Sequence, residues 1–179
     1  MALPHYTNVK PAQNLEEPLY LNLFDVQFQL PPAINGGETL TTFAKTVNLP
    51  LHPALEEVVQ RYKYSTRSYT SFPADTSAEF SITFNVNVND ANSAYVFKTL
   101  TELYKLSFNP ATGEMTRKID HVATITVDIH NKLGEILRRV VLKDCELRGI
   151  DEMSLDWESA DAFEVSTTWK TDHWDDLIV

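Results

Sequence analysis

Apolar and polar residues alternate with a period of two along several stretches of this 179-residue chain. The clearest runs over Ala78–Val88: Ala78, Phe80, Ile82, Phe84, Val86 and Val88 are apolar, with Glu79, Ser81, Thr83, Asn85 and Asn87 between them. Such a strand buries one face and wets the other. Tyr20–Leu30 repeats the pattern, with Phe24, Val26, Phe28 and Leu30 set against Asp25, Gln27 and Gln29. So do His121–Ile129 and Phe163–Thr171. Leu40–Leu49 is rich in Thr, Val and Phe and stops at Pro50, which predicts a second strand entered through a Gly36-Gly37 turn. Glu135–Arg148 is strand-like, but Arg138-Arg139 interrupts the alternation and predicts a bulge or twist. One helix is predicted: Val96, Phe97, Leu100, Leu103 and Tyr104 recur at helical spacing after cap candidates in Asn89–Ser93, and Asn109-Pro110 ends it. The predicted order is β-β-β-α-β-β-β. The fold class is mainly β with one α-helix, an antiparallel β-sandwich or barrel. Residues 1–18, with Pro4, Pro11 and Pro18 and no periodicity, read as an extended N-terminal arm, leaving 19–179 as a single β domain.

Charge changes this picture more than composition does. Hydrophobic residues (43%) and charged residues (22%) are in ordinary globular proportion, but the net charge is −10. Nine acids and Lys170 alone fall in residues 150–179. A chain this acidic is poorly suited to gripping duplex DNA, whose affinity rests on neutralising phosphates. The single cysteine, Cys145, cannot form an intrachain disulfide and fits folding in a reducing cytosol. No apolar run approaches the roughly 18 residues of a membrane span, and Met1–His5 does not resemble a signal peptide.

Candidate chemistry is sparse. His5, His52, His121, His130 and His173 are not paired at metal-ligand spacing, and no HExxH, CxxC, GxSxG or phosphate-loop pattern occurs. The expectation is no catalytic, cofactor or metal site, and no enzyme; His121 and His130, which flank a strand, are expected at the surface or as caps. Arg61-Tyr62-Lys63-Tyr64 with Arg67 and Tyr69 interleaves bases and aromatics. That composition suits single-stranded nucleic acid, or equally a polar hairpin packing its tyrosines on a neighbouring surface. Asp151, Glu152, Asp156, Glu158 and Asp161 form an acidic loop without the EF-hand pattern.

Met153–Ser159, Phe163-Glu164-Val165-Ser166 and Asp172-His173-Trp174 stand in order along the last third of the chain. Together they resemble the ending of tail tube proteins of contractile-tailed bacteriophages, within the wider family of contractile injection system inner tubes, where the last motif is aspartate-tyrosine-tryptophan. Asn22–Val26 is similar to the family's opening strand and Asn48-Leu49-Pro50 to the end of its second. The resemblance spans roughly Leu19 to Asp175. It implies a structural virion protein of the phage tail, folded in the host bacterial cytoplasm. Such subunits form hexameric rings, stacked into a hollow tube through which DNA is ejected. The implied partners are further copies, the tail sheath protein, a baseplate or tube initiator and the tape measure protein, with only transient, non-specific contact to passing DNA. An inner tube of a type VI secretion, tailocin or extracellular device is the alternative, and a nucleic-acid-binding β-barrel a more remote one. By analogy the lumen face is Glu79, Ser81, Thr83, Asn85, Asn87 and Asn89, and the inter-ring hairpin is Arg61, Tyr62, Lys63, Tyr64, Arg67 and Tyr69. An acidic or neutral wall would let phosphates slide without sticking.

Overall fold

The computed structural model describes residues 23–50, 55–71, 76–86, 94–151 and 163–178. In chain order the elements are β1 (Phe24–Gln29), α1 (Gly37–Phe43), β2 (Ala44–Asn48), β3 (Glu56–Tyr62), β4 (Ser65–Ser71), β5 (Ala78–Asn85), α2 (Ala94–Ser107), β6 (Phe108–Asn109), β7 (Glu114–Met115), α3 (Lys118–His121), β8 (Ala123–His130), β9 (Ile136–Ile150), β10 (Glu164–Thr171) and β11 (His173–Ile178). All pairings are antiparallel. Seven strands form one sheet in the order β1-β8-β9-β10-β5-β2, with β11 also on β9.

That sheet folds over on itself. β1 and β5 lie far apart in the strand order, yet the Phe28 ring is 5.7 Å from Phe84 and 6.2 Å from Trp169. β9, 15 residues long, belongs to both layers. Its first part pairs with β8 and β11, and its last part, from Glu146, with β10. The change of partner coincides with an extra residue in β9 opposite β8, between Leu142 and Cys145, where Asp144 has φ 52°. Strands that switch layers turn such corners by bulges. Thr171, fully buried, fixes the other side: its hydroxyl lies 2.7 Å from the Lys143 carbonyl and 2.9 Å from that of His173, with one hydrogen to share.

The inward residues of both layers make one core: Val26 and Phe28; Ile125 and Val127; Val140, Leu142 and Leu147; Phe80, Ile82 and Phe84; Val165 and Trp169. α2 closes it with Val96, Thr99, Leu100 and Leu103, the buried stripe of a helix. Its outer Lys98 and Glu102 stand 3.7 Å apart. At the centre Trp169 Nε1 donates to the Thr167 hydroxyl (2.8 Å), which donates to the Ile82 carbonyl (2.9 Å). The tryptophan's one polar group is thereby satisfied in an apolar interior.

The structure corrects the sequence reading in several places. Leu40–Phe43 is helix, not strand, and Gly36-Gly37 opens α1 instead of a strand. Gly36 holds φ 131° and a Cβ there would sit 2.5 Å from Thr99 Oγ1, so glycine is required on both counts. Tertiary packing overrides the β-propensity of Thr41 and Thr42: Leu40 is fully buried and the Phe28 amide donates to Thr41 Oγ1 at 3.3 Å. Three helices are described where one was predicted, and β11 and the short β6 and β7 were not anticipated. β5 ends at Asn85 and β10 starts at Glu164. The expected irregularity near Arg138-Arg139 is present as a register shift that leaves Leu137 unpaired opposite β8. The proposed arm, 1–18, lies outside the described residues.

Replacing Thr167 by Val strips Trp169 Nε1 and the Ile82 carbonyl of their partner at unchanged volume. Each buried orphan costs roughly 1–3 kcal/mol. Urea unfolding of Thr167→Val is expected to show a lower midpoint with an unchanged m-value.

Candidate functional site

The polar side of the second layer is built row by row. Opposite its buried residues, β5 presents Glu79, Ser81, Thr83 and Asn85, and β10 presents Lys170, Thr168, Ser166 and Glu164 directly across from them. β2 adds Asn48 against Ser81 and Thr46 against Thr83. Short hydroxyl and amide side chains bridge the rows: Thr83 Oγ1 and Ser166 Oγ lie 3.1 Å apart, and Asn48 Nδ2 donates to Ser81 Oγ at 2.7 Å. The charges cancel in pairs. Glu79 is in register with Lys170, and Glu164 receives Lys45 from the irregular step in β2. Four of the six expected face residues therefore share one wall with partners that sequence reasoning had not named; Asn87 and Asn89 lie outside the described residues.

This layer has two bare edges. Among the described residues, no strand pairs with the outer edge of β2. β8 accompanies β9 only to Cys145, so, among the described residues, 146–150 of β9 have β10 on one side and no strand on the other.

The six hairpin residues fall together on β3, β4 and their two-residue turn. Register places Val58 opposite Tyr69, Gln60 opposite Arg67 and Tyr62 opposite Ser65 on one side, with Val59, Arg61, Ser68 and Thr66 on the other. Every described side chain from 57 to 70 is exposed, including Tyr64 at 89%. Lys63 Nζ sits 5.4 Å from the Tyr64 ring centroid. A two-stranded hairpin is at best marginally stable alone.

The C-terminal acids are largely matched by bases from elsewhere in the chain. Lys118 reaches both Asp172 oxygens at 2.6 Å, Lys143 binds Asp175, and Arg138 forks onto Asp176 with one contact at 2.7 Å. With Glu164 on Lys45, four of the five described acids in 150–179 are ion-paired; Asp151 is exposed, and Glu152, Asp156, Glu158 and Asp161 lie outside the described residues. On the outer side of the first layer Arg139 grips buried Asp128 through two bonds of 2.6 and 2.7 Å. That fork holds the Asp128 carboxyl below its ordinary range, outweighing the opposing effect of burial. Burial pushes the Cys145 thiol up to about 12, which leaves almost no thiolate at neutral pH.

The histidines depart from expectation. His121 is 6% exposed, not a surface residue: Nδ1 is 3.0 Å from Thr116 Oγ1 and Nε2 is 3.6 Å from Glu146 Oε1. His130 is half-buried, with Nε2 3.0 Å from Asp25 Oδ2. His121 is in phase with the buried Ala123, Ile125 and Val127 of β8, so the alternation carried one step back would have pointed it inward. Among the described residues no cluster of three or more His, Cys, Asp or Glu could hold a metal, and no helix is long and apolar enough to cross a membrane.

No protein-family profile and no curated protein sequence matches the chain. Solved structures do. A chain of the sheath-tube complex of PVC, an extracellular contractile injection system, in its extended state, is 14% identical with TM-score 0.60, covering 96% of this chain and 100% of its own. A chain of the cap that terminates the anti-feeding prophage tube is 10% identical with TM-score 0.60, covering 97% and 99%. A chain of the anti-feeding prophage baseplate is 12% identical with TM-score 0.61, covering 92% and 99%. At these identities the likeness is one of fold.

The Asp128 carboxylate carries a signature in acid. A carboxyl depressed by folding contributes stability that is present above its unfolded value, near 3.9, and is lost as pH falls below it. Asp128→Asn is expected to lower the melting temperature at neutral pH and to flatten the acid limb of a melting-temperature profile from pH 6 to pH 2. An acid limb as steep as wild type would assign the acid sensitivity to other carboxylates.

Proposed function

We propose that this chain is a tube subunit of a contractile injection machine, closing with copies of itself into hexameric rings that stack into a hollow conduit. The observation that carries this reading is the four-stranded layer β2-β5-β10-β9, bare at both ends. Its strands alternate in direction, so β9 of one copy and β2 of the next run antiparallel when laid edge to edge. The two edges match in length: residues 44–48 of β2 and 146–150 of β9. Edges of this kind aggregate unless something closes them, and a ring closes both. The apolar side of the layer is spent on the subunit's own core, so its hydroxyl-rich side becomes the wall of the conduit.

Sheath protein outside and a baseplate or initiator at one end are the partners that such a tube needs, consistent with the assemblies containing the structurally similar chains. The exposed β3–β4 hairpin, with its Val58–Tyr69 side, is the arm that reaches a neighbouring ring, and residues 1–18 precede the β domain as a second arm. In the phage reading, carried by the sequence resemblance, the tube surrounds a tape measure protein before assembly ends and then passes DNA into the host. A device of the extracellular type is the second reading, favoured by the fold likeness to PVC and anti-feeding prophage chains. In both, the chain works by burial between copies and by a wall that does not hold its cargo; no catalytic step or cofactor is required.

Electron microscopy of the purified full chain, alone and with its initiator, is expected to show six-fold rings or tubes; persistent monomers under both conditions would sink the proposal. Thr46→Pro and Val47→Pro test the seam. Adjacent amides on a strand point to opposite sides, so one variant loses a donor to β5 and the other only an outward donor, which an edge strand tolerates. The outward variant is expected to keep the wild-type circular dichroism and melting curve yet form no tubes. If both variants fold and assemble like wild type, β2 is not a seam.

A further inference from the structure

Between α2 and β8 the chain makes an excursion, residues 108–121, through β6, β7 and α3. Much of it is exposed: Met115 is 75% and Ile119 78% accessible. One polar node, in which His121 is the buried member, ties it down. Thr116 Oγ1 lies 2.5 Å from the Leu106 carbonyl, to which it gives its only hydrogen. At 3.0 Å from His121 Nδ1, the same oxygen can then only accept. His121 Nδ1 must therefore carry a proton, and in the neutral ring Nε2 is a bare acceptor. That atom is buried and has no hydrogen-bond partner. What faces it is a second acceptor, Glu146 Oε1 at 3.6 Å. Two acceptors facing each other in a largely buried site are unfavourable, and a proton on Nε2 turns the same contact into a charge-assisted bond.

We propose that His121 is a proton-operated latch. Protonated at Nε2, it closes on Glu146 and fastens the 108–121 excursion to β9; neutral, it leaves the node unsatisfied and the excursion loosens. The packing elements bring these charged and polar groups to the node. From β9 come Glu146 and Arg148, whose guanidinium is 3.1 Å from Glu146 Oε2. From β10 comes Lys170, in register with Glu146. On α3 itself Lys118 is held by Asp172 and Asp120 by Arg117, and α2 presents the Ser107 hydroxyl 3.5 Å from Glu146. Arg148 engages the other Glu146 oxygen, which leaves Oε1 as the atom turned to Nε2. The bond from Nε2 to Glu146 exists only while the ring carries its second proton. Glu146 stands at the start of the bare stretch of β9, so the latch sets how firmly that edge is presented; this last step rests on the seam proposed above.

The test uses the full chain at roughly pH 6 and pH 8, on either side of ordinary imidazole titration. Nitrogen NMR of the His121 ring is expected to show both nitrogens protonated at the lower pH and only Nδ1 at the higher. The wild-type melting temperature is expected to fall across that interval by about 2–4 °C more than that of Glu146→Gln, the size of one hydrogen bond in a chain this long. The carboxamide of that variant can donate to a bare Nε2 and so removes the pH sensitivity. His121→Gln, which carries no titrating ring, is expected to match Glu146→Gln. Equal falls in all three proteins, or a neutral ring protonated at Nε2, would overturn the latch. Tube yield is scored separately. A wild-type yield that drops at the higher pH while Glu146→Gln holds steady supports control of the seam. Ring signals and melting curves that behave as expected, with no tubes at either pH, keep the latch and remove the tube reading instead.

Discussion

β9 has 15 residues, and no one of its partners accompanies it throughout. Strand pairing satisfies backbone groups only where a partner is present. A strand longer than its neighbours must therefore change partners, and β9 does so at the Asp144 bulge. The rest of the architecture follows from that change. β11 and β10 become two arms of a bent return path, the layers face each other across Phe28, Phe84 and Trp169, and Thr171 is buried because it is the residue at the bend. The end of β9 that β8 does not reach is the price of this arrangement, and in the proposed ring it is also the edge through which copies would join.

Charge follows the same geometry. The paired acids of 150–179 sit on or between the strands that return along β9, where Lys143 and Arg138 on β9 meet Asp175 and Asp176, while Lys118 and Lys45 come from other elements to meet Asp172 and Glu164. A sequence count makes that segment a block of negative charge; in three dimensions most of its described members belong to mixed pairs. The hydroxyl-rich wall is likewise close to neutral among its described residues. In the proposed conduit, sliding without adhesion would then be a matter of short, mutually bonded side chains more than of repulsion.

Alternation made β1, β5, β8 and β10 legible in the sequence, because each has one face in the core and one in water. It also gathered Glu79, Ser81, Thr83 and Asn85 on a single side. α1 was illegible for a physical reason: Gly-Glu-Thr-Leu-Thr-Thr-Phe has strand composition, and only the close approach of Gly36 to Thr99 and the burial of Leu40 make it helical. β11 was missed because Trp174, Asp175 and Asp176 break the period-two pattern, its acids being bound to bases on β9. The bare edges leave no signature in residue pattern at all, since they depend on where a neighbouring strand stops.

The number of strands in the seam-forming layer has one more consequence. Four is even, so each added copy restores the original strand direction, and hydrogen bonding across the seams would close a ring of any order without a parity fault. Backbone pairing in such a ring cannot count to six. Circumference has to come from how much each layer coils and tilts, and the curvature of the layer is set at the bend between Asp144 and Thr171. A substitution that relaxed this bend would change the diameter of the proposed conduit before it weakened any seam.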